Sequence, residues 1–173
     1  SSLNQSLKRM NLDYVDIFYS HRYDPETPLE ETLQTLVDMV RQGKALYVGI
    51  SKYPREAAAT AYRYLADNHV PCLLYQGCYN MFNREAEEKG ILEQAYNEGS
   101  GFVAFSPLAQ GLLTDRYLNG IPEDSRIARG GNLKKEALTD EVLRKIKALN
   151  EVALRRGQTL AEMALAWLLK DQM

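Results

Sequence analysis

Cysteine and histidine are both scarce: Cys72 and Cys78, His21 and His69 are all there are in 173 residues. Two thiols on one apolar segment are too few for a disulfide framework or a four-thiolate metal site. They read as small buried packing residues in a reducing compartment, hence a cytoplasmic setting. Histidines 48 positions apart, with no carboxylate at ligand spacing, do not make a zinc centre. A surplus of one charge is missing as well: 21 Lys and Arg against 23 Asp and Glu leave a net charge of -2. Nucleic acid is therefore not an expected partner, since phosphate contacts need clustered cations that outnumber local acids. No apolar run approaches the roughly 20 residues that cross a bilayer. The opening SSLNQSLKRMN has neither the basic nor the apolar region of an export signal, so neither membrane insertion nor export is expected. A G-x-S-x-G nucleophile elbow is absent, which leaves a Ser/His/acid hydrolase without support.

What is present is a repeat. Four short runs rich in β-branched and aromatic residues, Tyr14 to Ser20, Ala45 to Ser51, Cys72 to Cys78 and Gly101 to Pro107, start 27 to 31 residues apart. That interval is about one strand-plus-helix unit. Between the first two, Leu29, Leu33, Leu36, Val37 and Val40 recur on one helical face, and Gly43 stops the helix. Pro54 opens a second helix that Asn68 and Pro71 end. A third is expected from Glu87 to Glu98, closed by Gly99. The segment from Leu118 to Leu138 has no usable period and reads as a long loop. Thr139 caps a helix to about Arg156, and Thr159 with Glu162 forms a capping box opening the last one.

Strands alternating with helices predict parallel pairing and an α/β class. A doubly wound dinucleotide fold would show G-x-G-x-x-G at a strand-to-helix turn, and no strand end carries it. Polar residues instead follow every strand: Ser20 and His21, Ser51 and Lys52, Gln76 and Asn80, Ser106 and Gln110. One face bearing all of them is the (β/α)8 TIM-barrel pattern. Four strands cannot close that barrel. Residues 1–173 are accordingly expected to be about half of a single barrel domain, with bare strand edges that must be covered, paired with another chain as in a homo-oligomer, or aggregate.

The candidate chemistry sits at those strand ends. Histidine is the side chain whose unperturbed pKa lies nearest neutrality, so His21 can orient a carbonyl or share in proton transfer; the alternative is an ordinary surface histidine. Gln76, Tyr79 and Asn80 lie in and just after an otherwise apolar strand, Gln76 and Asn80 bringing neutral amides. There they either bond backbone or meet a ligand carboxamide, since a buried amide left unpaired costs about 1 to 3 kcal/mol. In F-S-P-L-A-Q-G, Phe105 offers a ring for stacking, Ser106 a hydroxyl, and the following turn backbone amides for phosphate. Arg116 and Arg126 add charge suited to a pyrophosphate. His69, at a helix end, is expected to face solvent.

In order along the chain, LDYVDIFYSHRYD, GKALYVGIS, YQGCYNMFNRE, FSPLAQGLLTDRY and NGIPEDSR resemble the aldo-keto reductases, most nearly the bacterial L-glyceraldehyde 3-phosphate reductase group and the potassium-channel beta subunits. The resemblance runs from before the family's fourth strand to its seventh helix. It implies a barrel lacking here its first three strands and its eighth, and an NADPH-dependent reductase that converts small aldehydes or ketones, glyceraldehyde 3-phosphate or methylglyoxal among them, to alcohols without a metal. His21 matches the histidine of the family's Asp/Tyr/Lys/His tetrad; the other three members lie outside the chain. Ser51 and Gln76 match residues that bind the nicotinamide carboxamide, and Lys52 stands where many relatives carry Asn or Arg at the cofactor. Phe105 matches a ring stacked on the nicotinamide. Ser106, Pro107, Leu108 and Gln110 match the loop along the pyrophosphate of NADP(H), and Arg116 and Arg126 the basic residues closing over it. The alternative implied is a nucleotide-sensing regulatory beta subunit with little turnover. His21 favours the enzyme, because channel relatives often carry Asn there.

Overall fold

The computed structural model describes residues 2–125, 127–131 and 133–170. The chain divides into two compact units, residues 1–77 with 85–103, and residues 78–84 with 104–173.

The first unit is built on a four-stranded sheet. In chain order come α1 (Ser2–Met10), β1 (Val15–Ser20), α2 (Leu29–Arg41), β2 (Ala45–Ser51), α3 (Arg55–Asp67), β3 (Cys72–Cys78), α4 (Glu85–Glu88), α5 (Ile91–Asn97) and β4 (Gly101–Phe105). The sheet order is β1-β2-β3-β4, and β1 with β2 and β2 with β3 pair in parallel. This is the expected α/β arrangement, with each strand found where the apolar run predicted it to within a residue or two.

The expected face of α2 is the buried one. Leu33, Leu36 and Val37 enter the main core with Val48 and Ile50 of β2, Ala58, Ala61 and Leu65 of α3, and Tyr75 of β3, while Leu29 and Val40 pack at its margin. Met39, off that face, joins Leu3, Leu7 and Ala45 in a second cluster that ties down α1. Alternation along β2 sends Gly49 to the opposite side from Val48 and Ile50. A Cβ on Gly49 would lie 2.5 Å from the Tyr19 ring. Tyr19 therefore covers Gly49 on the face away from that core.

Two expectations need correction. The helix predicted from Glu87 to Glu98 is two, because Gly90 adopts φ 67 between α4 and α5 and breaks the hydrogen-bond ladder. Cys72 is buried, and burial pushes its thiol up to about 11, but Cys78 is only half-buried, and neither is in a disulfide.

The second unit holds α6 (Asp140–Arg155) and α7 (Leu160–Leu168). Thr139 caps α6 by accepting from the Val142 amide at 3.2 Å. The capping box on α7 is complete: Thr159 Oγ1 accepts from Glu162 N at 3.2 Å, and Glu162 Oε2 accepts from Thr159 N at 2.7 Å. Leu112, Tyr117, Leu133, Ile146, Ala153, Leu160 and Met163 form this unit's core. Between Leu118 and Leu138 the described residues hold one 3-10 turn, Lys135–Ala137, so the segment is the long loop expected of it. Among the described residues no helix is long and apolar enough to cross a membrane.

Candidate functional site

In the first unit, sheet register assembles the site residues. Ser51 ends β2 and lies directly opposite Gln76 on β3, and the Lys52 amide donates to the Gln76 carbonyl at 3.1 Å. Ser51 is buried, whereas Lys52 is exposed and sits at φ 54. A side chain in the left-handed region is sterically costly, so the turn leaving β2 is held there by its surroundings.

Ser20 of β1 pairs in register with Ile50, which brings His21, the next residue along, beside the end of β2. His21 is exposed. The turn beneath it is braced: Ser20 Oγ and Tyr53 Oη share a hydrogen bond of 2.8 Å, Tyr75 Oη donates to the Tyr53 carbonyl at 2.7 Å, and the Tyr23 ring meets Tyr53 edge-on at 5.7 Å. Burial raises the Tyr53 hydroxyl above its ordinary value, the Ser20 bond opposing it, and burial lifts Tyr75 to about 12. Both phenols stay neutral across the physiological range and act as braces. His69 is exposed, as expected.

In the second unit a cavity of about 640 Å³ is lined by Ser106, Pro107, Leu108, Gln110, Gly111, Arg116, Tyr117 and Asp124. Five of these were picked out from sequence; Gly111, Tyr117 and Asp124 were not. Its wall is a strained turn, with Ser106, Ala109 and Gln110 at φ 53, 46 and 59. Non-glycine residues at positive φ cost about 1 to 3 kcal/mol each and collect where a structure is organised around a ligand. Successive amides in such a turn make a concavity that suits an anion.

Asn80 holds this turn. Its Nδ2 donates to the Ser106 carbonyl at 2.9 Å, and its Oδ1 accepts from the amides of Phe82 and Asn83, both at 2.9 Å. Of the two readings left open for this amide, the backbone-bonding one is the observed one. Thr114 organises the far side: its Oγ1 donates to the Gly111 carbonyl at 2.7 Å and accepts from the Arg116 amide at 3.2 Å, capping the 3-10 turn Asp115–Tyr117. Arg116 Nη2 lies 2.7 Å from Asp124 Oδ2, and that contact holds the Asp124 carboxyl below its usual range. Tyr117 is fully buried, with a hydroxyl that finds no hydrogen-bond partner among the described residues.

Phe105, half-buried at the end of β4, immediately precedes the cavity's first residue but is not among its lining. Arg126 lies outside the described residues. The residues missed from sequence had only local signals, a Thr two positions before Arg116 and an acid in P-E-D-S-R. Neither marks a cavity until the chain folds back.

A strained turn on the cavity wall, an arginine and a buried unpaired hydroxyl fit a pyrophosphate group, and the paired Ser51 and Gln76 fit a carboxamide. The model of the Aldo/keto reductase family matches residues 1–173. The L-glyceraldehyde 3-phosphate reductase of Escherichia coli K12 is 53% identical over 175 residues, covering 99% of this chain and 51% of that protein. A probable voltage-gated potassium channel subunit beta of Arabidopsis thaliana is 41% identical over 167 residues, covering 94% and 51%. A thermostable aldo-keto reductase solved with the inhibitor epalrestat superposes with TM-score 0.73 at 32% identity, covering 97% of this chain and 50% of that one. The chain thus spans about half the length of the curated relatives it matches.

Proposed function

This chain belongs to the aldo/keto reductase family, and from that premise we propose that the protein carrying it is an NADPH-dependent reductase of small aldehydes, with residues 1–173 contributing strands four to seven of a (β/α)8 barrel. The carrying observation is the convergence of Ser106, Pro107, Leu108, Gln110 and Arg116 on one cavity, the same residues whose sequence pattern matches a pyrophosphate loop.

In this reading the 106–110 turn and Arg116 would hold the pyrophosphate, Ser51 and Gln76 would bind the carboxamide, Lys52 would contact the cofactor, and Phe105 would stack on the nicotinamide; Arg126 is assigned by sequence alone. When bound, the cofactor supplies a hydride to the carbonyl carbon. His21 donates a hydrogen bond to the carbonyl oxygen, which aligns the substrate and stabilises the charge that grows on oxygen. The proton donor is assigned to the tetrad tyrosine, on the strands this chain does not include. Binding energy from the remote pyrophosphate contacts keeps the nicotinamide ring positioned for transfer.

The 53% identity to an L-glyceraldehyde 3-phosphate reductase, against 41% to a channel beta subunit, supports the reductase over the regulatory reading. The test is NADPH oxidation by the full-length protein with L-glyceraldehyde 3-phosphate and with methylglyoxal. His21→Ala is expected to lower turnover by about tenfold or more. Turnover unaffected by that change would remove His21 from the mechanism, and NADPH binding without turnover would favour the regulatory reading.

A further inference from the structure

The cavity around Arg116 is electrically balanced. Among its lining residues Arg116 is the one cation and Asp124 the one anion, and they are already paired at 2.7 Å. An anion entering such a site faces a guanidinium that is occupied and a carboxylate that repels it. The pair is also built to be exchangeable. Its side chains are 41% and 66% exposed, and water screens an exposed pair so that little holds it together. The Arg116 backbone is fixed by Thr114, which leaves the long side chain free to pivot while its root stays put.

We propose that Asp124 is a displaceable counter-ion: it occupies the Arg116 guanidinium until a multiply charged anion of the pyrophosphate class takes its place. The inference rests on the reading of this cavity as the cofactor's pyrophosphate site. A tethered carboxylate competes at an effective concentration in the millimolar range, so a singly charged ion such as acetate displaces it only well above that concentration. A pyrophosphate gains the guanidinium together with those amides of the strained 106–110 turn that are not already bonded, as the Ala109 amide is to the Ser106 carbonyl, and wins. Asp124 thereby raises the charge a ligand must carry. Arg129 adds a weaker attraction on Asp124, giving the released carboxylate a cation to turn towards.

The test is calorimetric titration with inorganic pyrophosphate, and separately with NADP⁺, at low salt. The wild-type protein is compared with Asp124→Asn, Asp124→Glu and, as an equal change in net charge at a neighbour off the cavity wall, Glu123→Gln. Asp124→Asn is expected to bind pyrophosphate about two- to fivefold more tightly, with Asp124→Glu and Glu123→Gln at the wild-type value. Acetate should compete with pyrophosphate better in Asp124→Asn than in the wild type. Unchanged or weakened binding in Asp124→Asn would overturn the proposal, since a carboxylate that positions Arg116 is missed when removed. Equal tightening in Glu123→Gln would overturn it too, by showing a general field effect. Tighter pyrophosphate binding with no NADP⁺ binding in any variant keeps the counter-ion and refutes the cofactor reading. NADP⁺ binding of equal strength in the wild type and Asp124→Asn does the reverse, and binding of neither ligand overturns both.

Discussion

The two units present their candidate residues by different physics. In the first, Ser51, Lys52, Gln76 and His21 stand at the ends of strands and are positioned by parallel register, with helices α2 and α3 buried against the other face of the sheet. Their placement is global: it depends on the fully buried Leu33, Ile50 and Leu65, contributed by α2, β2 and α3. In the second, Ser106 to Gln110 and Arg116 are positioned by the Asn80 amide, by the Thr114 hydroxyl and by three strained residues in one turn. That placement is local. Damage to the first unit's site should therefore travel with damage to stability, whereas the second can lose binding while staying folded.

The sharpest way to break the comparison is Leu33→Ala. Deleting a fully buried leucine costs about 2 to 5 kcal/mol, read as a lower urea midpoint, and should disturb the end of β2 with it. Asn80→Ala comes next. It removes one of two donors to the half-buried Ser106 carbonyl, which keeps the Ala109 amide, and the side-chain acceptor of the Phe82 and Asn83 amides, for about 1 to 3 kcal/mol, and should also weaken NADP⁺ binding because the strained turn relaxes. A stability loss with undiminished binding would show that the turn holds its shape without Asn80.

Arg116→Ala tests the local unit from the opposite side. Its charge-assisted contact to phosphate is worth about 1.5 to 3 kcal/mol, a drop in NADP⁺ affinity of about tenfold or more, while the melting temperature stays put because the Asp124 pair is exposed. The smallest effect is expected at α7. Thr159→Ala removes an N-cap at a cost of about 1 kcal/mol. Glu162 sharpens this with pH: the Thr159 amide and hydroxyl hold its carboxyl below the ordinary value of 4.5. A carboxyl lowered in the folded state stabilises above its unfolded value and ceases to do so as pH falls through the folded one. The difference in melting temperature between wild type and Glu162→Gln should be present at neutral pH and vanish in acid below 4.5. A difference that persisted at low pH would mean the carboxylate charge is not what caps the helix.

How much was legible follows the same division. Four strands, the α2 face and the α7 capping box could be read directly, because each rests on periodicity or on chemistry between residues a few positions apart. The split between α4 and α5 could not: Gly90 fits a helical pattern as weakly as many glycines do, and only its φ of 67 shows that it breaks one. Likewise Asn80 could have faced a ligand or the backbone, and what decided it was the Ser106 carbonyl, 26 residues away in sequence, arriving at 2.9 Å.

The sequence by itself determined which residue types stand at the strand ends and which faces are apolar, since side-chain chemistry and spacing are local properties. Only the tertiary structure decided that Ser51 meets Gln76, that Tyr19 covers Gly49, and that Asp124 reaches Arg116 and takes up its charge. Those are contacts between distant positions, and they exist because strand register and chain reversal set distances that no stretch of sequence contains.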